Sequence, residues 1–435
     1  MFFDKKRSIR LCAICFVYLF LFVFTDSAFA AKEPSLTCPA AVLIEFDTGK
    51  VLYDKNMNEP MYPASTTKIM TALLALENLD LKKQITVPNT FGPAEGSAMY
   101  LLPGETFTVE ELLQGLMIKS ANDAAVLLAL EISGDIPSFA ELMNKRASEI
   151  GCTGTHFTNP NGLHDPKHMT TAHDLALMAR EAMKHEVFRK LIKTDFIQIH
   201  ATEQTPEIRY YRNTNRFLWS SQKIDYNGAQ IPIKYDVVDG VKTGFTDEAK
   251  NCLVSTGEKN GIRVIAVSLK NETFEVYKNS RKLLDYGFEN FEKKSLVSAN
   301  EIVGSRGFPK TVEKKLDYYV KDNFVSVENI NSSSSYIFEV ALKEGLQAPV
   351  QKDEMIGEYL IKRDNSVLGS LPLYASNSLE SIYSMNNILK VIKEYRFYLI
   401  GGFIGFIVIL ILLRILIQKL FFRKRRRKST HINRF

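Results

Sequence analysis

The chain has 435 residues, 46% of them apolar and 24% charged, and this ordinary balance excludes wholesale disorder, collagen-like sequence and a disulfide-dense miniprotein. Its length suggests roughly two to three domains with a large buried core. Its 55 Lys and Arg against 49 Asp and Glu give a net charge of +6, but residues 1–30 hold +2 and residues 414–435 hold +9, leaving −5 for residues 31–413. The body is mildly acidic, which removes the main support for a nucleic-acid-binding surface.

The N-terminus reads as a secretory signal over residues 1–30. Lys5, Lys6, Arg7 and Arg10 flank an apolar run from Leu11 to Phe24, and Ala28-Phe29-Ala30 offers a small-x-small cleavage site. An uncleaved anchor is the competing reading, and the shortness of the run argues against it. After cleavage Cys38, Cys152 and Cys252 remain, an odd number at wide spacing, with no pattern of a disulfide framework or a metal site.

In the mature chain, Ala41–Asp47 and Val51–Tyr53 around Thr48-Gly49-Lys50 predict a hairpin. Pro63 then precedes a helical pattern that starts at Ser65, with Ile69, Ala72, Leu73 and Leu76 on one face. Glu110–Leu130 reads as helical, and Thr171–Asp174 as a capping box opening a helix over Leu175–Met183. Val237–Val254 and Ile262–Leu269 read as paired strands separated by Gly257 and Asn260-Gly261. Helices between strands make residues 31–287 an α+β or α/β domain. Beyond Gly287 short alternating runs at 317–320, 324–327, 336–342, 358–361 and 367–371 predict a small, sandwich-like all-β domain over residues 288–378. A polar linker over residues 379–397 leads to an apolar span at 398–417, long enough for a transmembrane helix, with Arg414 near its end. The basic run Arg423–Lys428 lies in the tail, residues 418–435, and places that tail in the cytoplasm.

Three short constellations carry possible chemistry. In Ser65-Thr66-Thr67-Lys68 the first and last residues lie three apart, so on a helix a hydroxyl and an amine share one face. Lys68 can serve as base to Ser65 if burial, a nearby cation or the helix N-terminus disfavours its ammonium form. Ser120-Ala121-Asn122 sits between two apolar helical runs and can place a proton relay and an amide in a cleft. Lys242-Thr243-Gly244 at a strand offers a cation and a hydroxyl to a carboxylate, and Gly244 permits close backbone approach. Like-charge repulsion from Lys242 would push Lys68 toward neutrality. Each of these alone also fits an ordinary surface pair, cap or strand-end turn.

The ordered set S-x-x-K, S-x-N, K-T-G is the signature of active-site-serine penicillin-recognising enzymes. The chain resembles the low-molecular-weight penicillin-binding proteins, the serine-type D-alanyl-D-alanine carboxypeptidases of peptidase family S11. Glu45–Lys50, Gly104–Leu113, Asn159-Pro160-x-Gly162-Leu163 and Thr171-Ala172-x-Asp174 share in that resemblance. It implies an α+β fold, a penicillin-binding/β-lactamase-like serine transpeptidase domain with an antiparallel sheet and helical clusters, then the small all-β domain and one C-terminal transmembrane helix.

It also implies roles. Ser65 would attack the carbonyl between the last two D-alanines of a peptidoglycan stem pentapeptide, Lys68 would act as base, and Ser120 would pass the proton to the leaving D-alanine. Asn122 would orient the peptide amide, Lys242, Thr243 and Gly244 would bind the terminal carboxylate end, and the backbone N–H groups of Ser65 and Phe245 would form the oxyanion hole. β-Lactams would acylate Ser65 as inhibitors. No metal or organic cofactor and no nucleic-acid partner is implied. The expected location is the outer face of a bacterial cytoplasmic membrane, held by a single pass. Three positions depart from the usual pattern: Ala121 stands where many relatives carry Gly, Phe245 where some carry His, and Lys250 where Gly is frequent. A β-lactamase and a non-catalytic wall-binding protein of the same fold are the alternatives. Residues 159–163 and 171–174 weigh against the first, and the intact Ser65, Lys68, Ser120 and Lys242 against the second.

Overall fold

The structure is a computed structural model that describes residues 33–332, 334–364 and 366–429, with side chains as far as Phe421. The expected signal over residues 1–30 and the last residues of the basic tail lie outside the described residues. The chain forms two compact units, one built on residues up to 294 together with 325–332, the other on 295–324 and residues from 334 onward.

The first unit is organised around an antiparallel sheet of β1 (Ala40–Glu45), β2 (Val51–Lys55), β3 (Val238–Thr246), β4 (Lys250–Lys259) and β5 (Ile262–Asn271), in the order β2-β1-β5-β4-β3. Every residue of β1 is buried, because both faces of the sheet are covered. Ala40, Val42 and Ile44 point into one apolar core, and Ala41 and Leu43 into another, as the two-residue period of a strand requires. The first core is filled by α1 (Lys68–Asn78), α2 (Asn122–Ser133), α3 (Ile136–Ile150) and α4 (Ala172–Ala182). The second is closed by α5 (Glu275–Asn290) through Leu283, Leu284 and Phe288. Burying such a side chain contributes roughly 1.5–3 kcal/mol, so this sheet is a rigid support for the groups on its edge strand. The β1–β2 turn is tied by the buried Glu45 carboxylate, which accepts from Asp47 N at 2.9 Å, Thr48 N at 2.7 Å and Thr48 Oγ1 at 2.6 Å.

Three expectations change in detail. The stretch 237–254 is two strands rather than one, because the chain reverses after Thr246, whose hydroxyl accepts from Ala249 N at 3.0 Å. Gly257 accordingly lies inside β4, paired with Val264. The helical run 110–130 is interrupted. A helix at Val109–Gln114, opened by a Thr108–Glu111 capping box, passes into a π-helical turn at Gly115–Lys119. Ser120 then adopts a left-handed conformation (φ 65°), and Asn122 N donates to Ser97 O at 2.6 Å as α2 begins. Of the capping box expected at α4, half is present. Thr171 accepts from Asp174 N, while the Asp174 carboxylate accepts from Gly154 N at 2.8 Å and Thr155 Oγ1 at 2.7 Å.

The second unit holds an antiparallel sheet of β6 (Ile302–Gly307), β7 (Lys315–Val320), β8 (Tyr336–Leu342), β9 (Met355–Arg363) and β10 (Ser366–Ala375), in the order β6-β7-β10-β9-β8. Leu316, Val320, Ile356, Ile361 and Leu373 form its core. The expected strand at 324–327 does not join this sheet: Phe324–Asn329 pairs with Phe291–Val297 in a two-stranded sheet. One helix, α6 (Met385–Ser429), follows. Its apolar part is long enough to cross a membrane, and it begins upstream of the expected span, within the expected linker.

Candidate active site

The turn that carries Ser65 is built before α1 starts. Pro63 leads into a single 3-10 turn, Ala64–Thr67, and Lys68 opens α1. Ala64 is left-handed (φ 48°), a conformation that costs an ordinary residue energy and needs external support. Support comes from two directions. Thr67 Oγ1 donates to Ala64 O at 2.9 Å and lies 2.8 Å from His168 Nε2. Thr158 N donates to His168 Nδ1 at 3.0 Å, so the Nε2 nitrogen carries the proton and donates to Thr67. Burial holds this imidazole neutral, with a pKa down at about 4. On the other side Gly162 (φ 83°) presses on the same turn: a Cβ there would sit 1.9 Å from Ala64 O.

This scaffold brings Ser65, Lys68 and Asn122 together. Lys68 is fully buried. Its Nζ lies 2.8 Å from Ser65 Oγ, 2.6 Å from Asn122 Oδ1 and 2.7 Å from Asn161 O. Burial, then the charge of Lys242, push its pKa well below the usual lysine range, against an opposing pull from Asp123. The amide of Asn122 is oriented by its Nδ2, which donates to Glu95 O at 2.6 Å. Asn122 Oδ1 and Asn161 O can only accept. A neutral amine has two N–H groups and one lone pair. The two N–H groups go to these acceptors, and the lone pair is left facing the one partner that can donate, Ser65 Oγ. The arrangement is that of a general base poised on a hydroxyl.

Ser120, half-turned out of the helix by its left-handed backbone, lines the same cleft as Ser65, Thr243, Gly244 and Phe245, a space of about 350 Å³. Among the described residues its hydroxyl has no hydrogen-bond partner. Lys242 is buried, its Nζ donating to Thr243 O at 2.9 Å and its charge reaching Lys68, and burial lowers its own pKa to about 7. Thr243 Oγ1 donates to Thr214 Oγ1 at 2.7 Å. At Gly244 the turn that carries Ser65 approaches the strand closely. A Cβ there would meet Pro63 O at 2.9 Å, and Ala64 Cβ and Ser65 N at 3.1 Å. β3 thus runs directly beside Ser65, and Phe245, next in the strand, enters the cleft wall.

Asn161 and Gly162 were not assigned roles from sequence, although they fall within the stretch Asn159-Pro160-x-Gly162-Leu163. Asn159 shapes that turn, accepting from Gly162 N at 2.7 Å and donating to Leu163 O at 3.0 Å. Thr67, His168, Thr214 and Arg216 were also not singled out. Among the described residues no group of three His, Cys, Asp or Glu side chains could hold a metal ion. Cys38, Cys152 and Cys252 are free and buried, and burial raises each thiol pKa, to about 11, 12 and 12.

A two-sided sheet whose edge strand carries K-T-G beside a buried lysine and a serine turn defines a serine acyl-transfer enzyme of the penicillin-recognising class. Comparison with known proteins agrees. Residues 27–273 match the family model described as D-alanyl-D-alanine carboxypeptidase, peptidase S11, and residues 291–381 match that of the penicillin-binding protein 5 C-terminal domain. The chain is 36% identical to the D-alanyl-D-alanine carboxypeptidase DacF of Bacillus subtilis over 388 residues, 85% of this chain and 95% of the other. It is 35% identical to DacC of Escherichia coli over 293 residues, 63% of this chain and 68% of the other. The crystal structure of penicillin-binding protein 5 from Haemophilus influenzae superposes with a TM-score of 0.64 at 26% identity, covering 80% of this chain and 99% of that one. The chain belongs to the S11 family of D-alanyl-D-alanine carboxypeptidases. Its activity is the serine-type removal of the terminal D-alanine from peptidoglycan stem pentapeptides through an acyl-enzyme, and β-lactams acylate it.

Proposed function

We propose that Ser65 is the nucleophile, Lys68 the base that takes its proton, and Ser120 the relay that delivers a proton to the leaving D-alanine. In this reading Ser65 Oγ bonds to the penultimate D-alanine carbonyl carbon, and the resulting oxyanion is met by the backbone N–H groups of Ser65 and Phe245. The amine of the terminal D-alanine leaves with a proton, and water then releases the shortened peptide. Asn122 orients the peptide amide. Lys242 and the Thr243 hydroxyl hold the terminal carboxylate. Gly244 keeps the strand close to the nucleophile. The observation that carries the reading is the Lys68 amine, buried among two acceptor-only partners and Ser65 Oγ. The mature organisation we propose is a catalytic domain over residues 31–287 and a β-domain over 288–378. The signal of residues 1–30 is removed, and a linker at 379–397, a span at 398–417 and a cytoplasmic tail at 418–435 follow. α6 then anchors the enzyme in a bacterial cytoplasmic membrane with the catalytic unit outside. The test is mass spectrometry of a stem pentapeptide. Wild type should remove one alanine and Ser65→Ala none; equal loss with Ser65→Ala would overturn the assignment, and so would equal labelling of that variant by a fluorescent penicillin.

A further inference from the structure

Among the described residues between 33 and 294, six large apolar side chains are exposed: Tyr100, Leu102, Phe196, Ile208, Tyr210 and Phe245. Phe245 belongs to the cleft wall. The other five lie on two segments that the fold ties together. One is the segment 97–105, which leads out of the cleft from Ser97. The other is a hairpin of Phe196–Ile199 and Arg209–Arg212, whose second strand leads through Asn213 to Thr214 in the same cleft. Tyr211 Oη donates to Met99 O at 3.0 Å, and the buried Arg209 pairs with the buried Glu105 at 2.6 Å. Tyr100 is held outward between anchored neighbours. The Asp123 carboxylate accepts from Met99 N at 2.9 Å and from Leu101 N at 3.1 Å, and both of these residues are buried. Tyr100 itself is left-handed (φ 61°) and 72% exposed, so a bulky residue bears a strained backbone without burying its ring. On the hairpin, alternate residues share a face. Ile197 and Ile199 enter the core, while Phe196, Gln198, Tyr210 and Arg212 face outward. The Phe196 and Tyr210 rings stack, with centroids 6.0 Å apart and planes at 20°.

We propose that this exposed aromatic band, Tyr100 with Phe196 and Tyr210, is a binding site for the N-acetylhexosamine glycan strand that bears the stem peptides. The site lies beyond the carboxypeptidase reading above and rests on it only for the identity of the polymer. Exposed apolar surface gathered on one side of a cleft marks an interaction site. Its composition selects a sugar. The C–H face of a pyranose ring packs on an aromatic ring, while its hydroxyl and acetamido groups need polar partners, and here Gln198 and Arg212 share the face with the rings. The centre of a protein–protein interface is instead depleted of charge. A stem peptide with its C-terminal end in the cleft carries its sugar at the other end. The glycan must then lie on the surface beside the cleft, and the band is continuous with the cleft wall through Ser97 and Thr214.

The experiment uses the full-length protein in detergent and compares wild type, Tyr100→Ala, Phe196→Ala combined with Tyr210→Ala, and Tyr210→Trp. Two substrates carry the same pentapeptide, one free and one attached to a short glycan oligomer, and retention is also measured on glycan strands stripped of peptide. Each ring removed should lower kcat/KM for the glycan-borne pentapeptide about 3- to 10-fold, the scale of one aromatic contact. The free peptide and the penicillin acylation constant should be unchanged. Retention on stripped strands should fall in parallel, and Tyr210→Trp should keep both. These positions are exposed, so the thermal midpoint should stay within about 2 °C, the scale of a surface change. Equal losses on both substrates would make the band a support of the cleft, and unchanged rates on the glycan-borne peptide or unchanged retention would leave it without a sugar; either result overturns the proposal. A wild-type dimer that the double variant dissociates would overturn it as well, by giving the face to a second copy of the chain. If wild type releases no alanine from either substrate, the carboxypeptidase reading fails, while retention on stripped strands still decides the glycan site.

Discussion

Gly244→Ala separates two explanations of one glycine. If the residue is small so that a substrate backbone can approach, an added methyl harms peptide binding and little else. The structure instead places that methyl 2.9 Å from Pro63 O and 3.1 Å from Ser65 N, inside the nucleophile turn. Two of the three nearest atoms are backbone, so relief requires β3 and the turn to part by a few tenths of an ångström. Overpacking of this kind costs about 1–3 kcal/mol. For a unit of this size each kcal/mol moves the midpoint roughly 2–4 °C, so the thermal midpoint should fall by about 2–12 °C. The same displacement shifts Ser65 N and Phe245 N, the two donors proposed for the oxyanion. Loss of one such donor costs about 10²–10³ in rate, so a partial misplacement should lower acylation about 10- to 100-fold. The assays are calorimetry on the ligand-free protein and the second-order acylation constant with a fluorescent penicillin, set beside KM for the peptide. An unchanged midpoint and unchanged acylation, with a raised KM for the peptide, would refute the packing argument.

Three further outcomes follow from the same geometry. Because Lys68 is neutral when poised on Ser65 and its pKa is well below the ordinary range, acylation should rise with pH only through that lowered value and level off well below pH 10.5. A rate still climbing steeply near pH 10 would show an unperturbed lysine. Lys242 has a folded-state pKa of about 7 against 10.5 unfolded, so the unfolded chain binds more protons between these values. Stability from this group is therefore lowest below pH 7 and increases up to about pH 10.5, and Lys242→Met should flatten that part of the midpoint-versus-pH curve. Thr67→Val removes the hydroxyl that donates to Ala64 O and leaves the His168 N–H without a partner. It should cost about 1–3 kcal/mol in stability and lower the penicillin acylation constant, while Thr67→Ser restores both. Equal acylation by the valine and serine variants would remove Thr67 from the support of the nucleophile.

What the sequence disclosed and what it withheld divide along a physical line. Ser65 and Lys68 are legible because their contact is local, three residues apart on one helical face, and β1 with β2 because their alternation and turn are local as well. Asn122 and Lys242 became legible only through their order relative to Ser65, since nothing local requires Asn122 Oδ1 to lie 2.6 Å from Lys68. The second acceptor on that amine, Asn161 O, is a backbone carbonyl. Every residue carries one, so side-chain chemistry cannot mark it, and only the constraint beside it shows: Gly162, where any Cβ would strike Ala64 O. The same holds for the strand reversal after Thr246, set by a hydroxyl–backbone bond inside an apolar stretch that reads as continuous.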